Sequence, residues 1–234
     1  MTIFAVPYAG GNSYCYRDLA GAVGTDTEWN TLELPGRGKR IREPLLNSIE
    51  NLAEDVLAQI MDHGVREFSL FGHSMGGLVA HRVVEMLEER FSEKIVVRSL
   101  FVSGCRSPCS FTHRTKRAEL SRAELIREVD KLGGLPEPIK EDTELMAFFE
   151  PILRADFGAV DQYAREGTGW IRTPIIVFSG EDDPEVSAEQ VIAWKQASNE
   201  VRFFLFSGGH FFFQDHVAEF AAILVENTAP QGMA

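Results

Sequence analysis

Residues 68–77 read FSLFGHSMGG, and the core Gly72-His73-Ser74-Met75-Gly76 constrains this chain more than any other segment. An apolar run precedes it, and a helical repeat of Leu78, Val79, Val83, Leu87 and Phe91 follows, so the serine falls where a strand turns into a helix. So tight a turn strains the backbone of its central residue, and side chains two positions away would collide. Gly72 and Gly76 remove those side chains, and Gly77 lets the helix pack close. The helix start then offers free N–H groups and a positive dipole end to an oxyanion forming beside the serine. Ser74 is the candidate nucleophile, and the Met75 N–H the first candidate oxyanion donor.

The rest of the chain repeats the same alternation. Strands are predicted at Ile3–Pro7, Trp29–Leu34, Glu67–Gly72, Val97–Gly104, Pro174–Gly180 and Val201–Phe206, nearly continuous in apolar or β-forming residues. Such runs suit parallel strands covered on both faces. Helical patterns lie between them, at Asn51–Met61, at Gly77–Phe91, and at Ser187–Ala197, where Ser187 and Gln190 have capping-box spacing. Val217, Phe220, Ala221, Leu224 and Val225 line one face of a last helix, and Thr228–Ala234 reads as a frayed tail. The expected architecture is a doubly wound, mostly parallel sheet flanked by helices. One segment breaks the rhythm: about seventy residues between Gly104 and Pro174 hold no good strand. Helices are predicted there at Arg122–Lys131, Thr143–Leu153 and Phe157–Tyr163. A crossover needs far less chain, so most of this is an insertion into one domain spanning residues 1–234.

A serine hydroxyl is a poor nucleophile without a base beside it. His210, in SGGH directly after the strand VRFFLF, lies at the carboxyl edge where open α/β sheets gather their catalytic groups. The other histidines compete weakly: His73 adjoins Ser74 and should point away from it, and His63, His81, His113 and His216 read as structural or surface residues. The loop SGEDDPEVS follows the strand PIIVF and offers two acids to orient the imidazole. Asp183, next to the turn-setting Pro184, is favoured, with Asp182 the alternative. The chain order serine, acid, histidine is that of the α/β-hydrolase fold. The second oxyanion donor should come from PYAGGN after the first strand, where Gly10 and Gly11 permit close approach. No phosphate-binding glycine motif is present, which leaves nucleotide binding without support.

Composition narrows the partners. A net charge of −12, from 23 basic and 35 acidic residues, argues against nucleic acid. No stretch approaches the roughly 20 apolar residues of a membrane span, and MTIFAVPYAGG lacks the features of a signal peptide, so the cytoplasm is expected. Cys15, Cys105 and Cys109 match no metal spacing and read as free thiols. Basic residues cluster at Arg37, Lys39, Arg40 and Arg42 and again at Arg106, Arg114, Lys116, Arg117 and Arg122. They form either a solvated surface or, near the insertion's start, an attractor for an acidic partner.

The chain resembles the type II thioesterases that serve polyketide synthases and nonribosomal peptide synthetases. The likeness runs through PYAGGN, LPGRGKRIREP, GHSMGG, LGGLPEP, PILRADF, GEDDPEV and GGHFFF in the family's order. It implies hydrolysis of acyl groups from the phosphopantetheine thiol of acyl or peptidyl carrier proteins, with no cofactor beyond the phosphopantetheine that the substrate carries. By position, Ser74, Asp183 and His210 match the triad, Ala9 and Met75 the oxyanion donors, and about 108–170 the lid over the acyl chamber. Within that lid Met146, Phe148, Phe149, Ile152 and Leu153 are candidates to line the chamber, although residues at helical spacing also serve simply as core. Met146, Phe149 and Leu153 are the acyl-binding expectation, and a monomer is expected. The residues alone leave open a carboxylesterase of free small esters, an acyltransferase, or an inactive hydrolase fold used for binding.

Overall fold

Nearly continuous apolar strands need cover on both faces, and the fold supplies it. The computed structural model describes residues 1–110, 116–134, 142–163 and 169–228. Strands β1 (Thr2–Val6), β2 (Glu28–Thr31), β3 (Glu67–His73), β4 (Val96–Ser103), β5 (Ile175–Gly180) and β6 (Val201–Phe206) form one sheet in the order β2-β1-β3-β4-β5-β6. Every neighbouring pair is parallel. The period of two along a strand divides its side chains between two cores. Phe4, Val6, Leu100, Val102, Ile175 and Val177 face one side, packed with α2 (Ile49–His63) and α3 (Met75–Phe91). Ile3, Ala5, Phe101, Ile176 and Phe178 face the other, with α1 (Arg17–Ala22) and α7 (Val217–Thr228). This is the expected α/β-hydrolase architecture.

Between β4 and β5 lie α4 (Arg122–Lys131) and α5 (Thr143–Gln162), which make a third, smaller core of Leu125, Val129, Met146, Leu153 and Phe157. A capping box at Ser121 and Glu124 starts α4, and Asp142 caps α5 by accepting from the Glu144 and Leu145 N–H groups. Two helices were expected where α5 is one of 20 residues, running through Pro151. The apolar pattern lapses at Arg154 and Asp156 because these side chains bond to other segments, not because the helix stops. Arg154 donates to the Ala118 and Leu120 carbonyls, and Asp156 is fully buried against Arg37.

Two other boundaries differ from expectation. β2 ends at Thr31 rather than Leu34, because Glu33 turns its carboxylate to the Ser13 and Lys39 N–H groups. The helix expected over Ser187–Ala197 begins with its capping box as α6 (Ala188–Ile192), then tightens into a 3₁₀ turn at Ala193–Gln196 that seats the buried Trp194. The short α1 has no counterpart in the sequence reading. Thr228 closes α7, and the rest of the predicted tail lies outside the described residues.

Candidate active site

Ser74 occupies φ 54°, ψ −121°, the only positive φ at a non-glycine among the described residues. Strain of this kind costs on the order of 1–3 kcal/mol and persists where the surroundings over-determine it. Here the Ser74 N–H donates to the Ser103 carbonyl at 2.8 Å, and its own carbonyl accepts from Gly77 at 3.0 Å. A Cβ on Gly72 would overlap the Gly76 carbonyl, and one on Gly76 would overlap the Val6 carbonyl. The three segments meet too closely for any other residue at either position. The Ser74 hydroxyl bonds to no other described residue, so its bond to a base is one that side-chain rotation or substrate must complete.

His210 follows β6 and faces the same cavity as Ser74. Its Nδ1 lies 2.9 and 3.0 Å from the two carboxylate oxygens of Asp183. A carboxylate only accepts, so Nδ1 carries the proton and Nε2 is left to receive one. Both side chains are buried, at 1% and 0% exposure, whereas Asp182 is exposed. The Asp183 carboxylate also accepts the Glu185 N–H at 2.8 Å, and the Asp182 N–H donates to the Gly208 carbonyl at 3.0 Å, tying the acid loop to the histidine loop.

The His73 ring lies 4.7 Å from the His210 ring, tilted 54° to it, and pairs its Nδ1 with Ser103 Oγ at 3.0 Å. Burial, reinforced by His210, holds its pKa well below the usual histidine value. His81 is buried and bonds to the Gly169 carbonyl, while His113 lies outside the described residues.

Two backbone segments carry the N–H groups expected to face an oxyanion. Met75 opens α3, where a first-turn N–H has no intrahelical acceptor. In the loop after β1, the Gly11 N–H donates to the Tyr8 carbonyl and the Gly10 N–H to Asp156 Oδ2, each at 2.8 Å. Of the amides of Ala9, Gly10 and Gly11, that of Ala9 alone donates to no described residue. Ala9, Gly10, Gly11 and Ser74 border a cavity of about 250 Å³ whose apolar wall includes Val129, Leu132, Phe149, Leu153 and Phe157. Phe149 and Leu153, two of the three residues expected to bind the acyl chain, are on that wall. Met146 is not: at 2% exposure it packs in the core between α4 and α5, away from the cavity wall, because its spacing on α5 turns it towards Leu125 and Val129. Phe148 is half exposed.

Two arginines read as surface charge are buried instead. Arg37 makes a two-pronged pair with Asp156, Nη1 to Oδ2 at 2.6 Å and Nη2 to Oδ1 at 2.8 Å. Arg117 bonds Asp161 and Glu185 and lies over the Phe157 ring. Neither is free to attract a partner, and Arg114 lies outside the described residues. The sequence reading also missed Tyr16. Its buried hydroxyl donates to the Val6 carbonyl and accepts the His73 N–H, joining β1 to β3 just before the serine. A buried aromatic with a polar tip has no local sequence signal for such a role.

The sequence profile of the thioesterase domain family matches residues 1–226. Thioesterase PikA5 of Streptomyces venezuelae is 30% identical over 215 residues, which cover 91% of this chain and 75% of that protein. Among solved structures, the RedJ thioesterase from the prodiginine biosynthetic pathway in Streptomyces coelicolor superposes with a TM-score of 0.89 at 30% identity, covering 97% of this chain and 90% of that one. The type II thioesterase BorB from the borrelidin biosynthetic cluster gives 0.88 at 28% identity, with 97% and 92% covered.

Proposed function

The chain belongs to the thioesterase family, and on that premise we propose that it hydrolyses acyl groups from phosphopantetheinyl carrier proteins, clearing stalled or misprimed units from a polyketide or nonribosomal peptide synthase. The observation that carries this reading is a strained Ser74 and a His210 held by the buried Asp183, with Ser74 and His210 lining one apolar cavity. His210 Nε2 takes the Ser74 proton as Oγ attacks the thioester carbonyl, and Asp183 supports the imidazolium. The Met75 and Ala9 N–H groups hold the oxyanion. Collapse breaks the C–S bond, and the thiol leaves with the proton from His210. Water, deprotonated by His210, then releases the acid and restores Ser74.

The segment around α4 and α5 acts as the lid, with Phe149 and Leu153 against the acyl chain. Phosphopantetheine belongs to the substrate, and the enzyme needs no cofactor of its own. The protein works in the cytoplasm as a monomer, and its partner is the acyl or peptidyl carrier protein. Since Arg37 and Arg117 are committed internally, carrier recognition rests on other groups.

A panel of acyl-phosphopantetheinyl carrier proteins, assayed beside simple esters of the same acyl groups, tests the proposal. Wild type should favour the carrier-bound thioesters, and Ser74→Ala should lose at least a thousandfold in rate. Preference for the free esters would make it a carboxylesterase, and hydrolysis surviving Ser74→Ala would remove the serine mechanism.

A further inference from the structure

The Asp156 carboxylate accepts three N–H groups from two separate segments while being fully buried. Oδ2 receives the Gly10 N–H at 2.8 Å and Arg37 Nη1 at 2.6 Å, and Oδ1 receives Arg37 Nη2 at 2.8 Å. Arg37 also reaches the Gly11 and Pro35 carbonyls at 3.4 Å. The peptide carrying Ala9 is therefore held from its C-terminal side by a side chain of α5. Gly10 has φ +78° and sits so close to α5 that a Cβ there would lie 2.8 Å from Leu153 Cδ2. Phe149, Leu153 and Asp156 occupy i, i+4 and i+7 on one face of α5. That one face supports the acyl cavity and the loop bearing the second oxyanion donor.

We propose that Asp156 and Arg37 form a positioning pair that holds the Ala9 N–H in the oxyanion hole and makes that hole depend on the placement of α5. Neither side chain touches the reacting atoms. Their effect passes through the Gly10 N–H and the Gly11 carbonyl to the peptide between them. A small displacement of a donor aimed at the tetrahedral state is costly in rate, because the donor acts only where charge develops. The inference rests on the hydrolytic reading above only in assigning the oxyanion to Ala9 and Met75.

Asp156→Asn is the informative variant. One oxygen becomes an NH₂ that faces Arg37 in either orientation, and Gly10 as well when it takes the place of Oδ2, donor against donor, while the volume is kept. Arg37→Lys keeps the charge but not the two-pronged contact, and it serves should Asp156→Asn not fold. Arg122→Gln, which breaks an exposed pair with Glu150 in the same segment, is the control. Folded, full-length proteins are compared in three measurements: kcat and KM on an acyl-pantetheine thioester, labelling of Ser74 by a fluorophosphonate, and binding of a trifluoromethyl ketone beside a non-reactive thioether of the same chain.

The expected result is a fall in kcat and labelling rate of roughly ten- to a hundredfold, with ketone affinity weakened in proportion. KM and thioether affinity should stay within about threefold, and the control within about twofold. Equal losses in ketone and thioether binding, or labelling and ketone affinity within about threefold of wild type, would overturn the pair's role. Failure of wild type to cleave acyl-pantetheine would count against the substrate reading alone, since fluorophosphonate labelling still reports the oxyanion hole.

Discussion

Asp183 and Asp182 are neighbours in sequence and opposites in environment, one buried on His210 Nδ1 and the other in solvent. Asp183→Asn keeps the shape but turns a donor towards Nδ1 and reverses the imidazole tautomer, so kcat should fall by roughly 10³–10⁴. Asp182→Asn should stay within about twofold, and steady-state rates on one thioester for both variants decide between them. At this scale the sequence made Ser74 and His210 legible because each sits in a local pattern, a glycine elbow and a glycine loop after a strand. It could rank the two aspartates but not separate them by residue type, since the Asp183 side chain is directed by its bonds with the Glu185 N–H and His210 Nδ1, which only the fold brings together. Asp156 was illegible as a site residue. Its partners stand 119 and 146 positions away, and nothing in its neighbours along the chain announces them.

At the scale of the element, α5 carries the consequence of misreading a polar interruption as a helix end. Periodicity reports burial against apolar partners and is blind to a buried carboxylate with an arginine opposite. For the same reason the strand ladder was readable almost to the residue, while β2 was overextended into the stretch where Glu33 turns to bind backbone amides. The face of α5 also separates lining from core. Leu153→Ala should lower stability by about 2–4 kcal/mol, as removal of a buried leucine does, and should move the acyl preference towards longer chains by deepening the cavity. Met146→Ala should cost similar stability without that shift. Chain-length profiles and thermal melts of the two variants check this, and matching profiles would refute the distinction.

For the whole molecule, six parallel strands bring the loops after β1, β3, β5 and β6 to one edge of the sheet, so the parts of the site share a scaffold rather than a neighbourhood in sequence. His73 lies beneath that edge, facing His210 and Tyr8, and it couples acidity to global stability. Its folded pKa is depressed below the value near 6.5 of an unfolded chain, so the unfolded state takes up the extra proton first. Its contribution is fully present above about pH 6.5 and is lost as the pH falls below it, by up to about 1.4 kcal/mol per unit. Denaturant melts between pH 7 and 5 should therefore steepen less with acidification in His73→Gln than in wild type, and parallel slopes would refute the assignment. The segment holding α4 and α5 leaves the sheet at β4 and returns at its neighbour β5, which makes it an exchangeable cassette for grafting between related enzymes. The graft has one hidden stitch. A donor cassette without an aspartate opposite Arg37 strands a buried guanidinium, so chimeras should be chosen on that pair before any matching of cavity walls.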